Sequence, residues 1–246
     1  METSRSSPQA VLRMKLTGKI NRFTEPNTDT DLIIPARFLK RTALDGFEVF
    51  AFFEKRYLPS SICEATIEAR DFVFKKKDFN PDCTINHPNS RDATFLLTWA
   101  NFGCGSSREH AVYALRNYKV IIGSAPEGKT AFADIFRDNC RQNLIWTPVI
   151  SESDHKKLLA FVNERIDKAP VSLILDADAQ KLSTEDGALS IPFEIPPHHK
   201  SYILAGKDPF DMAREQVQDF GKKVNAWFSG NAEFSAKSPN ALLVKK

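Results

Sequence analysis

Cysteine is scarce and poorly spaced for chemistry. The 246-residue chain has four, at positions 63, 83, 104 and 140, and no Cys-x-x-Cys pair. A zinc knuckle and a thioredoxin-type centre both need that close spacing and are excluded. An iron–sulfur cluster held by this chain alone would need a cysteine cluster, so no metal or cluster ligands are assigned here. A disulfide framework would need more cysteines in a shorter chain, which places the thiols, reduced, in a cytoplasmic compartment. No apolar run reaches the ~18–20 residues of a membrane-spanning helix. Residues 1–14 have no hydrophobic signal-peptide core. Their Ser- and Arg-rich composition reads as a disordered extension, with an organelle presequence as the alternative. Charge imbalance is also lacking: 34 Lys+Arg stand against 31 Asp+Glu, a net charge of +3. That excludes a strongly basic nucleic-acid surface and an acidic disordered tail.

What remains is an ordinary globular composition, 42% hydrophobic and 26% charged. A chain of this length buries roughly 70–75% of its unfolded surface and needs no covalent staple. Domain organisation reads as an extension over 1–14, one domain over 15–229 and a polar tail over 230–246. Residues 16–23 read as a strand and 25–31 as a polar turn. Pro35 interrupts the apolar run that follows. Residues 46–57 mix aromatics and charges at near-helical spacing, and Lys75, Lys76 and Lys77 read as a solvated loop. The middle reads strand–helix–strand–helix–strand: 93–100, 108–118, 119–123, 130–144 and 144–150. That order implies a parallel sheet segment with helices packed on it. Phe132, Ile135 and Phe136 are expected on the buried side of the second of these helices. A surface helix over 151–168, with Leu158, Leu159, Phe161, Val162 and Ile166 inward, precedes two β-like runs, 171–178 and 188–195. The Asp186-Gly187 turn between them suggests a hairpin. A last helix is expected near 210–228.

The chemistry concentrates in the glycine-rich turn Asn101-Phe102-Gly103-Cys104-Gly105-Ser106-Ser107-Arg108-Glu109-His110. Gly103 and Gly105 permit φ > 0 and close approach of backbone to a ligand. Ser106 with Glu109 three residues on reads as a capping box. A helix starting there would point N–H groups and a positive dipole end at an anion. Arg108 adds a planar fork suited to a carboxylate. A dinucleotide fingerprint needs glycine where Arg108 stands, and the Walker and hydrolase-elbow patterns are missing. Cys104 reads as a small packed residue rather than a nucleophile. A second constellation, Asn27-Thr28-Asp29-Thr30-Asp31, is either a cation-binding turn or a turn braced by its own side chains.

These two segments, with Phe38-Leu39-Lys40-Arg41-Thr42 and Phe132-Ala133-Asp134-Ile135-Phe136-Arg137-x-Asn139, occur in one order that resembles the small subunits of 3-isopropylmalate dehydratase, in the aconitase superfamily. The similarity runs from about Lys15 to about Phe228. The resemblance implies an α/β fold, the swivelling β/β/α domain of the aconitase type, with a partly parallel sheet and flanking helices. It implies a hydro-lyase that isomerises 2-isopropylmalate to 3-isopropylmalate by dehydration and rehydration. It further implies a large partner subunit that carries a [4Fe-4S] cluster. Ser106 matches the family's base, Asp31 an active-site acid, and Arg108 the carboxylate-binding arginine, with Ser107 and Gly105 beside it. Leu39 and Arg41 lie in the segment matching the one that selects the substrate side chain. The chain departs from the family in an insert over 125–130, in Trp99-Ala100, and in Gly206-Lys207-Asp208-Pro209-Phe210-Asp211. A related hydro-lyase for another substituted malate (dimethylmalate, citramalate or homoaconitate) and a non-catalytic carboxylate-binding module are the alternatives.

Overall fold

The sheet is organised around one strand, β1 (Lys15–Phe23), which has a parallel neighbour on one side and an antiparallel neighbour on the other. The structure is a computed structural model that describes residues 15–40, 46–58 and 79–206, with 220, 221 and 224. The chain divides into two compact units, Met1–Gly206 and Lys207–Lys246, and every element named here lies in the first. The expected helix near 210–228, the Lys75–77 loop and both expected tails fall outside the described residues, apart from 220, 221 and 224. Among the described residues no helix is long and apolar enough to cross a membrane.

The strands are β1, β2 (Phe95–Thr98), β3 (Val120–Ile122), β4 (Ser172–Asp176), β5 (Lys181–Ser183) and β6 (Ser190–Pro192), in sheet order β3-β2-β1-β4-β5-β6. β1, β2 and β3 are parallel; β1, β4, β5 and β6 pair antiparallel. The parallel half is apolar on both faces, as a covered parallel sheet must be. Leu96 and Ile121 enter one core cluster, while Phe95, Leu97, Val120 and Ile122 enter the other. That is the period-two alternation of a strand.

The first cluster is rich in phenylalanine. Phe23 stacks on Phe52 and Phe38 on Phe50, both with ring centroids 4.3 Å apart. The helices are α1 (Thr30–Ile33), α2 (Phe53–Arg56), α3 (His110–Ala114), α4 (Asp134–Gln142), α5 (Glu152–Arg165) and α6 (Pro197–Ala205), with 3-10 turns at Ala36–Lys40 and Phe47–Phe50. The near-helical 46–57 stretch is therefore a 3-10 turn followed by one turn of α2. α1 ends before Pro35, as expected, because proline disfavours helix at the residue it follows. α5 is capped by the Ser151 side chain, which accepts from Asp154 N–H at 3.1 Å. It buries Leu158, Val162 and Ile166 in the second cluster and leaves Leu159 and Phe161 partly exposed.

Three expectations are corrected. Ile135 is 55% exposed; α4 turns Phe136 and Cys140 inward instead. The 144–150 run is not a regular strand beside β3: it meets that side through isolated parallel bridges, Trp146 to Val120 and Val149 to Gly123, because its pairing is broken at Pro148, which has no N–H to donate. The runs 171–178 and 188–195 are not hairpin partners. β5 lies between them, and Asp186-Gly187 turns β5 into β6. α6 is an element that the sequence reading missed.

The 144–150 run also closes the sheet. Val149 and Glu194, just beyond β6, exchange two backbone hydrogen bonds of 2.8 Å. Both nominal edges, β3 and β6, are thereby joined through one short bridge.

Candidate active site

Each parallel strand continues past its C-terminal end into a loop, and the three loops form a small parallel layer of their own. Asn27 and Asn101 make the first two bends, at φ 53° and 58°. Asparagine tolerates this left-handed conformation better than most residues. Beyond the bends, Asn27 N–H donates to Ala100 O at 2.9 Å, Gly103 N–H to Thr28 O at 2.7 Å, and Thr30 N–H to Cys104 O at 2.9 Å. On the other side Asn101 N–H donates to Thr130 O at 2.8 Å, Phe102 N–H to Ala131 O at 3.0 Å, and Ala133 N–H to Phe102 O at 3.0 Å. Segments 27–30, 100–104 and 130–133 thus repeat the order of β1, β2 and β3. The C-terminal ends of parallel strands are where α/β sheets place ligands.

The polar residues singled out in the sequence emerge from this layer. Asp29 caps α1: its Oδ1 accepts from Leu32 N–H at 2.7 Å. This resolves the 27–31 constellation as a braced turn. Asp31, in the first turn of α1, accepts from Arg108 Nη1. Thr30 Oγ1 accepts from Ser106 N–H at 3.2 Å. Ser106 is half-buried, while Gly105 and Ser107 are exposed. Asp31, Ser106, Ser107, Gly105 and Arg108 are therefore brought together at an open surface. Leu39 is half-buried and packs against the phenylalanine cluster. Arg41 lies outside the described residues. The sequence reading missed Thr30, whose buried hydroxyl holds the Ser106 loop; no spacing rule links the two positions.

The capping box is corrected. α3 begins at His110, with Glu109 as its N-cap and no side-chain cap bond. The Glu109 carboxylate bonds Asn143 instead, at 2.9 Å. Ser106 lies in the bend before the helix, outside its first turn, and Arg108, two residues on, is ion-paired with Asp31. His110 packs against the Phe47 ring at 5.6 Å. Cys104 is half-exposed, and its Sγ donates to Asn27 O at 3.4 Å. Burial and then Asp29 raise its thiol pKa, which leaves it a poor nucleophile.

Gly103 is where the layer and α4 meet. It has φ +76°, and a Cβ there would stand 2.2 Å from Phe136 Cγ. Gly105, at φ +94°, also needs the freedom of glycine. Trp99 packs at a tilt against buried His155, ring centroids 4.4 Å apart, and His155 Nε2–H donates to Thr98 O at 3.1 Å. Burial lowers the pKa of this imidazole. The insert turns at Pro126–Lys129, where Lys129 N–H donates to Pro126 O at 3.0 Å, and rejoins the layer at Thr130.

The described cysteines do not fit an iron–sulfur cluster. Burial pushes the thiols of Cys83 and Cys140 up, Cys140 well above its ordinary value. Among the described residues no three His, Cys, Asp or Glu side chains are grouped to hold a metal.

A mixed, partly parallel sheet with flanking helices is the fold of an aconitase C-terminal-type domain. Residues 11–152 match the aconitase C-terminal domain family. The chain is 36% identical over 204 residues to the 3-isopropylmalate dehydratase small subunit of Bacillus licheniformis, covering 82% of this chain and 90% of the relative. It is 34% identical over 207 residues to that of Halalkalibacterium halodurans, covering 83% and 94%. A crystal structure of 3-isopropylmalate dehydratase from Methanocaldococcus jannaschii shares the fold with a TM-score of 0.53 at 22% identity, over 85% of this chain and 99% of that one. The chain belongs to the 3-isopropylmalate dehydratase small-subunit family.

Proposed function

We propose that this chain is the small subunit of a hydro-lyase that interconverts 2- and 3-isopropylmalate, and that its own share of the chemistry is carried by Ser106, Arg108 and Asp31. The observation that carries this reading is the convergence of a half-buried serine and an Asp31–Arg108 ion pair at one open loop surface. Arg108 keeps donors that Asp31 does not use, and a planar fork of N–H groups matches a substrate carboxylate. Asp31 fixes the guanidinium for that contact. The Ser106 Oγ takes the proton from the carbon beside a carboxylate. The C–H electron pair becomes the second bond of an alkene as the hydroxyl departs from the neighbouring carbon. Water then adds back with its two halves exchanged between the carbons.

A serine alkoxide is a strong base and needs adjacent positive charge, which Arg108 supplies across two residues. The Lewis acid for the departing hydroxyl is left to the [4Fe-4S] cluster that this family implies on the large subunit. A Lewis acid held there must reach the same small substrate, so the open surface here faces that partner. Leu39 and Arg41 belong to the segment assigned to side-chain selection.

The test is turnover by the complex reconstituted with the large subunit. Ser106→Ala should lower kcat by about 10²–10⁴-fold, the usual worth of a positioned general base. Activity within a few-fold of the unmodified complex would favour a carboxylate-binding module. Run on 2-isopropylmalate, dimethylmalate, citramalate and homoaconitate, the same assay should give its highest kcat/KM on the first.

A further inference from the structure

Glu109 follows Arg108 directly, yet its carboxylate is tied elsewhere. Its Oε1 accepts from Asn143 Nδ2 at 2.9 Å. The same amide nitrogen donates to Asn139 O at 2.9 Å. The amide oxygen, Oδ1, accepts from Arg116 Nη2 at 3.0 Å and Nε at 3.4 Å. Arginine can only donate, so Arg116 dictates which way the amide faces: oxygen toward the guanidinium, nitrogen toward Glu109. Arg116 in turn lies over the Tyr113 ring, 4.1 Å from its centroid. The Asn143 side chain is thus fully used, at the C-cap of α4, on an acid at the N-cap of α3.

Left untied, that acid would have a partner beside it. Adjacent Glu and Arg side chains do pair in this chain: Glu164 and Arg165 meet at 3.2 Å. A second carboxylate on Arg108 would take the donors that Asp31 leaves. We infer that Asn143 is a positioning residue that holds the Glu109 carboxylate off Arg108 and so keeps the guanidinium open to a substrate carboxylate. The inference rests on Arg108 being the carboxylate-binding group.

The experiment uses the complex with the large subunit and 2-isopropylmalate. Asn143→Asp keeps an acceptor for Arg116 but turns a second carboxylate toward Glu109. KM should rise about fivefold, the upper worth of one exposed ion pair, with kcat within about twofold. Adding Glu109→Gln removes the competing charge and supplies an amide that donates to the new carboxylate. KM should then return to within about twofold of the unmodified complex, a reversal that a general loss of folding would not give. An unchanged KM in Asn143→Asp overturns the inference, as does a raised KM that Glu109→Gln fails to reverse. If Asn143→Asp does not assemble, Asn143→Ala carries the same expectation and the same reversal. Arg108→Lys in parallel separates the two claims. It should raise KM more than about threefold, because lysine cannot form the fork. If it does not, the reading of Arg108 fails and the inference with it. If it does while Asn143→Asp leaves KM alone, only the positioning role fails.

Discussion

Gly103→Ala is the sharpest test of how the site is held. At φ +76° the backbone is left-handed, which costs a residue with a Cβ about 1–2 kcal/mol. The new methyl would also stand 2.2 Å from Phe136 Cγ, well inside contact distance, and Phe136 is buried with little room to retreat. Overpacking of this kind costs about 1–3 kcal/mol. Alanine stiffens the unfolded chain and returns about 0.4–1 kcal/mol. The net loss is about 2–4 kcal/mol, or a fall in Tm of about 5–15 °C for a domain of this size. Denaturant unfolding of the chain measures it directly. Phe136→Leu in the same background should recover part of the loss, because the steric share is relieved and the backbone share is not. A double-mutant cycle should therefore show coupling of about 0.5–3 kcal/mol. A loss below about 0.5 kcal/mol for Gly103→Ala, or strict additivity with Phe136→Leu, would refute the argument.

Leu144 ends α4 at φ 58°, with Ile145 N–H donating to Cys140 O at 2.9 Å and Leu144 N–H to Arg141 O at 3.0 Å. That is a Schellman closure with leucine where glycine is favoured. Leu144→Gly should raise stability by about 0.5–1 kcal/mol once the flexibility of glycine is subtracted. A lower Tm would contradict it. His199 is buried 3.3 Å from Asp138, and burial, then the charge of Arg137, lowers its pKa to about 4. The unfolded imidazole titrates near ~6.5. The unfolded chain therefore binds the proton first, and stability is lost as pH falls from about 6.5 to about 4. Burial lowers the pKa of His155 too, which adds to the same acid limb. Thermal melts across that window should show the fall, and His199→Gln should flatten it; an unchanged slope would sink the assignment.

The strands and helices of the parallel half were legible because apolar runs of strand length alternate with amphipathic stretches. The resemblance pointed to Asp31, Ser106 and Arg108, and their meeting follows from loops that start at neighbouring strand ends. The start of α3 was not legible. Ser106 and Glu109 have the spacing of a capping box, but Thr30 holds the first and Asn143 the second. Both partners are distant in sequence, and tertiary bonds outbid the local one. The same holds for Ile135, which has the spacing of a core residue on a helix whose inward face is fixed by Gly103 accepting Phe136. β5 was missed because three residues of mixed polarity carry almost no periodic signal.

The Val149–Glu194 bridge bears on how the molecule is made. β1 waits for β4, which lies roughly 150 residues further along the chain, and long-range pairings of this kind slow folding. Until Glu194 has emerged, the run beside β3 keeps one flank of N–H and C=O groups unmatched. A fragment ending near Ile150 would retain every polar residue of the loop layer yet leave that flank open, and an open strand flank recruits another strand. Such a fragment should self-associate, while a chain reaching past Pro196 carries its own stopper.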